Sequence, residues 1–107
     1  MKEINWEKLF NDHLIVFHCE TEEIANQLLQ IAHQHGHKWR SGESYLEKNS
    51  WHVYGKETCY YIIDNTYESL NFFNSLNVYN LNIINVKILF EGKRQPFKLK
   101  RKEIITW

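Results

Sequence analysis

Long apolar runs are missing from this chain: stretches such as Leu14-Ile15-Val16-Phe17 stop far below the roughly 18 residues that a membrane-crossing helix needs. Residues 1 to 10 also lack the apolar centre of an export signal, so a cytoplasmic protein without membrane association is expected. Cysteine is scarce. Cys19 and Cys59 fall on separate expected strands, and in a reducing compartment packed thiols are a better reading than a disulfide. Glycine is limited to Gly36, Gly42, Gly55 and Gly92, none within a phosphate-cradling pattern, which sets aside nucleotide-binding loops. The acids, Asp12 and Asp64 among them, show no spacing that would assemble a carboxylate pair or a two-metal site. One proline and two alanines stand beside eleven asparagines, eleven isoleucines and ten lysines, a bias of AT-rich coding that speaks to source and not to chemistry.

What is present is aromatic and charged. Four Trp, six Tyr and six Phe in 107 residues are enough for one domain core and some surface besides. Net charge is zero, from 13 basic and 13 acidic side chains, but the signs are separated along the chain. Residues 1 to 92 carry 7 bases against 12 acids, while residues 93 to 107 carry Lys93, Arg94, Lys98, Lys100, Arg101 and Lys102 against Glu103 alone. A separated charge of this kind persists as a local field and points to a polyanionic or acidic partner. If residues 97 to 102 are extended, Lys98, Lys100 and Lys102 share one face and Phe97, Leu99 and Arg101 the other. Such a row suits phosphate or carboxylate neighbours, and it equally suits the protection of a sheet edge from unwanted pairing.

The order of elements predicts a single domain over residues 1 to 107. Residues 4 to 10 read as a short helix or arm, and residues 13 to 20 as a strand, apolar on both faces and therefore central. Thr21 is a good N-cap, with Glu22 and Glu23 in the first turn, where carboxylates favour the positive end of the helix dipole. Ile24, Leu28 and Ile31 recur at helical spacing, and Gly36 is the left-handed stop of a helix over about residues 22 to 35. After a polar connection, residues 51 to 54 and 58 to 63 read as a hairpin around Gly55-Lys56-Glu57. Asn65 and Glu68 resemble a capping box that would open a short helix through Leu70, Phe73 and Leu76. Residues 78 to 90 read as a strand, alternating best at Ile84, Val86, Ile88 and Phe90. A turn at 91 to 96, an extended piece at 97 to 100 and a closing strand at 104 to 107 follow, with Pro96 favouring an edge or loop. The order is βα(ββ)αβββ, an α+β fold with a single antiparallel or mixed sheet and one main helix on one face.

Candidates for chemistry are few. His33, His35 and His37 alternate, but on a helix His33 and His35 diverge by about 200° and His37 leaves on a new path. Imidazoles complementing the helix dipole are the better reading, and no metal or other cofactor is expected, even with His18, His52 or Cys19 as added ligands. His18 and Cys19 are adjacent and so face opposite sides of a strand, while His52 and Cys59 share the expected hairpin. Neither pair has an oxyanion turn, so a catalytic cysteine is not expected.

The segment Phe17-His18-Cys19-Glu20-Thr21-Glu22-Glu23, followed by His35-Gly36-His37-Lys38-Trp39-Arg40-Ser41-Gly42, resembles small uncharacterised α+β proteins of phages and mobile elements. Trp51, Tyr54, Cys59-Tyr60 and the closing Glu103-Ile104-Ile105-Thr106-Trp107 continue the likeness over about half of the chain. Residues 71 to 102, with the whole basic cluster, depart from it. Proteins of this build are often host-directed binders, and some anti-CRISPR proteins are similar in size and in lacking a catalytic motif. The resemblance thus implies a non-enzymatic inhibitor of a bacterial defence system that binds an RNA-guided CRISPR nuclease or its guide RNA complex. On this reading the basic segment would meet RNA or an acidic protein surface, with Trp39, Tyr45, Trp51 and Tyr54 as aromatic anchors. The alternative from the same lysines is a nucleic-acid-binding accessory protein.

Overall fold

The structure, a computed structural model, describes residues 4–76 and 80–92. The elements are α1 (Trp6–Phe10), β1 (Ile15–His18), α2 (Glu22–Gln34), β2 (Thr58–Tyr61), β3 (Thr66–Ser69), α3 (Leu70–Asn74), β4 (Asn82–Asn85) and α4 (Val86–Phe90). They build an α+β fold on one four-stranded mixed sheet in the order β3-β2-β1-β4. β1 pairs antiparallel with β2, placing Phe17 opposite Tyr60, and parallel with β4, placing Phe17 opposite Ile84. The apolar run of β1 is thereby explained: the strand is central and both of its faces are covered.

One face carries the main core. Ile15 and Phe17 of β1, Tyr60 of β2 and Ile84 of β4 pack against Ala25, Leu28, Leu29 and Ala32 of α2, with Leu9 and Phe10 of α1 and Leu89 of α4 closing the sides. On the opposite face Val16, Cys59 and Phe73 form a smaller cluster, flanked by Tyr61, Leu70, Leu76, Leu81 and Ile83. α2 starts and stops where local chemistry requires. Thr21 Oγ1 accepts from the Ile24 amide at 3.2 Å, satisfying one of the unpaired N–H groups of the first turn. At the other end Gly36 has φ of +89°. Its N–H donates to the His33 carbonyl at 2.9 Å while that of His37 donates to the Ala32 carbonyl at 3.0 Å, the two bonds of a Schellman turn.

Three expectations are corrected. Residues 51 to 54 are no strand: Trp51–Val53 and Gly55–Glu57 are 3-10 turns, entered through Ser50 with φ of +59°. The turns are held by side chains, since Asn49 Oδ1 accepts from the Trp51 amide and Thr58 Oγ1 donates to the Trp51 carbonyl. The hairpin that does form joins β2 to β3, with Thr58 opposite Ser69 and Tyr61 opposite Thr66. Its connection runs through the 3-10 turn Ile62–Asp64 and Asn65, whose φ of +55° lies in the left-handed region that asparagine tolerates. Asn65 and Glu68 are therefore no capping box. The helix expected after them begins at Leu70, where Ser69 Oγ accepts from the Phe72 amide at 3.1 Å.

The third correction concerns residues 78 to 90. β4 ends at Asn85, whose Oδ1 accepts from the Ile88 amide at 3.1 Å and caps α4. Ile84 and Val86 are buried at strand spacing, but the next fully buried residue is Leu89, three positions on, and Ile88 and Phe90 are only half-buried. The period changes from two to 3.6 at the cap, which a single alternating pattern conceals. The expected extended piece at 97 to 100 and the closing strand at 104 to 107 lie outside the described residues, as do 93 to 96 of the expected turn. Among the described residues no helix is long and apolar enough to cross a membrane.

Candidate binding groove

The chain leaving the Schellman turn folds back tightly. Trp39 N–H donates to the Glu43 carbonyl at 3.0 Å and Gly42 N–H to the Trp39 carbonyl at 2.9 Å, a closure that uses the φ of +94° at Gly42. Trp39 points inward, its indole N–H donating to the Lys48 carbonyl at 2.6 Å. Arg40 reaches the β2–β3 connection, where its Nε donates to the Asp64 carbonyl at 3.1 Å and one terminal nitrogen pairs with the Asp64 carboxylate. Asn65 ties the same connection from below. With its amide nitrogen toward them it donates to the Lys38 carbonyl at 2.9 Å and the Tyr45 oxygen at 2.8 Å. The opposite orientation would aim the amide oxygen at carbonyls, so this one is preferred.

These ties hold one side of a groove of about 900 Å³ that flanks β3. Its walls are chiefly aromatic and apolar: Trp39, Tyr54, Tyr61, Tyr67, Phe72 and Leu81. A volume of this size lies within the range of ordinary ligand sites, roughly 300–1,000 Å³. β3 contributes from both pleat faces, with Tyr67 on one and Thr66 and Glu68 on the other. Tyr67 packs edge-on against Trp39, ring centroids 5.4 Å apart, and against Tyr54 at 5.9 Å. The Tyr54 hydroxyl donates to Glu68 Oε1 at 3.0 Å, and this bond, more than any burial, raises the phenol above its usual range. Two large side chains on the rim are open to solvent, Tyr54 at 37% and Phe72 at 44% exposure.

The aromatic anchors expected from sequence are thus divided. Trp39, 7% exposed, and Tyr45, 2% exposed, are core residues, packed on each other at 4.7 Å. They are corrected from partner anchors to supports, because Tyr45 is buried outright and only the margin of Trp39 reaches the groove. Trp51 is half-buried, its indole N–H donating to the Cys19 carbonyl at 3.0 Å. Tyr54 alone of the four stands open in the groove. Lys93, Arg94, Lys98, Lys100, Arg101 and Lys102 lie outside the described residues. Sequence reasoning missed Tyr67 and Glu68, although the alternation Thr66-Tyr67-Glu68-Ser69 between two turn signals was there to be read as a strand.

The histidines are dispersed. His35 and His37 sit edge-on against the Phe10 ring at 5.6 and 5.5 Å. Burial lowers His37, partly offset by a hydrogen bond to Asn65 and reinforced by His35. No group of three or more metal-ligating side chains converges among the described residues. His18, and not His52, is the cross-strand neighbour of Cys59, but its Nε2 lies 2.8 Å from the Lys56 carbonyl. Both cysteines are free and buried. Burial, with Glu57 nearby, pushes the Cys59 thiol up to about 12, and burial raises Cys19 well above its ordinary value, with Cys59 adding to the shift. A thiol held protonated is a poor nucleophile. In native protein at pH 8, iodoacetamide is expected to leave Cys19 and Cys59 unmodified over a period in which urea-unfolded protein is alkylated at both. Rapid native alkylation of either, read by mass spectrometry, would refute the protonated, enclosed state.

No family model matches this chain, nor does any curated protein or solved structure.

Proposed function

We propose that the protein is a non-catalytic binding protein, a phage or mobile-element inhibitor of a bacterial defence system, whose target docks in the groove beside β3. The observation that carries the reading is the groove itself: aromatic walls on a strand and turns tied down by Arg40–Asp64 and by the Asn65 bonds. Rigid aromatic surface of this kind is what protein interfaces use as anchors, because little conformational entropy is lost on binding. The resemblance set out above directs the search for the target to RNA-guided CRISPR nucleases and their guide RNA complexes. The charge of residues 93 to 102 would add an electrostatic attraction to an acidic surface or to RNA and speed association.

Capture from a bacterial lysate, with and without nuclease treatment, tests this directly. Wild-type protein is expected to retain a specific protein or ribonucleoprotein, and reversal of Lys98, Lys100 and Lys102 to glutamate should weaken capture while leaving the folded state intact. Unchanged capture would relegate those lysines to edge protection. The second reading, a nucleic-acid-binding accessory protein, is favoured by the basic cluster alone. It requires binding to free RNA or DNA at low salt, with log affinity falling against log salt at a slope near −5 if six phosphates are neutralised, about −0.9 for each. Failure of both nucleic acids to bind at low salt would end it.

A further inference from the structure

The groove's charges are nearly all matched from within. Arg40 pairs with Asp64, and Lys48 lies 3.7 Å from Glu43. Glu68 differs. Among the described residues no cation lies within ion-pair distance of it, and its one hydrogen bond is the Tyr54 hydroxyl on Oε1. This carboxylate accepts from Tyr54, whose exposed ring meets that of Tyr67 at 60°, and Tyr67, on the other pleat face of β3, meets Trp39 at 72°. Aromatic faces carry the negative part of the ring quadrupole and attract cations. An anion would be repelled by both the rings and Glu68, and a neutral apolar group would strip water from the carboxylate without replacing its hydrogen bonds. A cation suits both components at once, by charge at the carboxylate and by attraction to the ring face.

We propose that Tyr54 and Glu68, with Tyr67 packed on Trp39 behind the Tyr54 ring, form a recognition site for a cationic side chain, lysine or arginine, of a protein partner. The choice of a protein follows from the surroundings. Glu43 and Asp64 are matched by Lys48 and Arg40, which among the described residues leaves Glu68 as the unmatched formal charge of the groove, and it would oppose a phosphate. The groove is also far larger than one side chain, and β3 is an outer strand among the described residues, so neighbouring residues of an extended partner have apolar wall to cover. This inference rests on the groove being the docking face, and it gives that face a chemical preference. The ammonium or guanidinium would take the free side of the Glu68 carboxylate, with its alkyl stem along the open ring of Tyr54.

The test uses the full chain and four blocked amino acids: the Nα-acetyl amides of lysine, arginine, norleucine and glutamate. Titrations followed by the aromatic and Glu68 side-chain NMR signals are expected to give saturable shifts at Tyr54 and Glu68 for lysine or arginine. Norleucine, with the stem but no charge, should bind at least fivefold more weakly, and glutamate not at all. Glu68→Gln should reduce cation binding about tenfold, and Tyr54→Leu about fivefold, with both variants keeping the wild-type fold by circular dichroism. Equal binding of norleucine, or cation binding untouched by Glu68→Gln, would overturn the site. The lysate experiment separates the two proposals. A partner captured equally well by Glu68→Gln would sink the cation site and leave the inhibitor reading standing; cation binding with nothing captured would do the reverse.

Discussion

Replacing Phe17 with alanine is expected to remove about 3–5 kcal/mol of stability, the usual loss for truncating a fully enclosed phenylalanine. Phe17 has no exposed surface and sits in the central strand, with Tyr60 opposite it on one side and Ile84 on the other. Its ring meets Phe10 edge-on at 5.5 Å and lies 6.5 Å from Trp6, so α1 is anchored to the sheet through it. No neighbour can move in to fill the space, because α2 covers the same face with Leu28 and Leu29 already enclosed. Domains of this size are stable by only about 5–15 kcal/mol, so the variant should lose at least about a fifth of that margin. Urea unfolding is expected to give a lower midpoint with an unchanged slope, the sign of lost stability and not of altered compactness. Phe17→Leu, which keeps most of the volume, should cost clearly less. A loss under about 1 kcal/mol for the alanine variant would contradict a core centred on this ring.

Where several local signals agreed, the fold was legible. For α2 the Thr21 cap, the acidic first turn, the apolar stripe and the Gly36 stop coincide, and the helix runs over Glu22–Gln34 as expected. β1 was equally plain because a central strand is apolar on both faces. Legibility failed where one short pattern serves two structures. Asn65 followed by Glu68 suits a capping box, but Asn65 also suits the left-handed corner of a hairpin, and pairing of β3 with β2 decides for the hairpin. That pairing joins neighbouring segments, Tyr61 with Thr66 and Thr58 with Ser69, and its mark in the sequence is the short alternation Thr66-Tyr67-Glu68-Ser69, which the capping-box pattern overlaps. The same misreading hid Tyr67 and Glu68, so the part of the candidate site that faces the groove was missed while its supports, Trp39 and Tyr45, were proposed as anchors. In a polar connection with no regular structure, an aromatic residue reads as exposed. Its burial comes from partners distant in sequence, Tyr60 and Tyr67 for Trp39.

Trp39→Ala is expected to cost about 3–5 kcal/mol, and this prediction distinguishes a support from an anchor. A residue that only touches a partner can be truncated with little effect on folding, typically within about 0.5 kcal/mol. Trp39 is bound into the fold at both ends of its side chain. Its ring packs on Tyr45, Tyr60 and Tyr67, and its N–H satisfies the Lys48 carbonyl at 2.6 Å. Alanine would open a cavity beside Tyr60 and also leave that carbonyl without its donor, which in a partly buried setting adds about 1–3 kcal/mol if water does not replace it. Trp39→Phe keeps part of the ring surface and loses the N–H, so its cost should fall between those of the wild type and the alanine variant. Equilibrium unfolding of the two variants beside Glu68→Gln orders the residues by role. The expected sequence is a near-neutral Glu68→Gln, an intermediate Trp39→Phe and a strongly destabilised Trp39→Ala. A Trp39→Ala protein as stable as Glu68→Gln would return Trp39 to the partner-facing surface. Because the loop from Gly36 to Ser50 closes over this indole, weakened partner binding by Trp39→Ala reports a loosened groove wall, and only variants of Tyr54 and Glu68 report on contact with the partner itself.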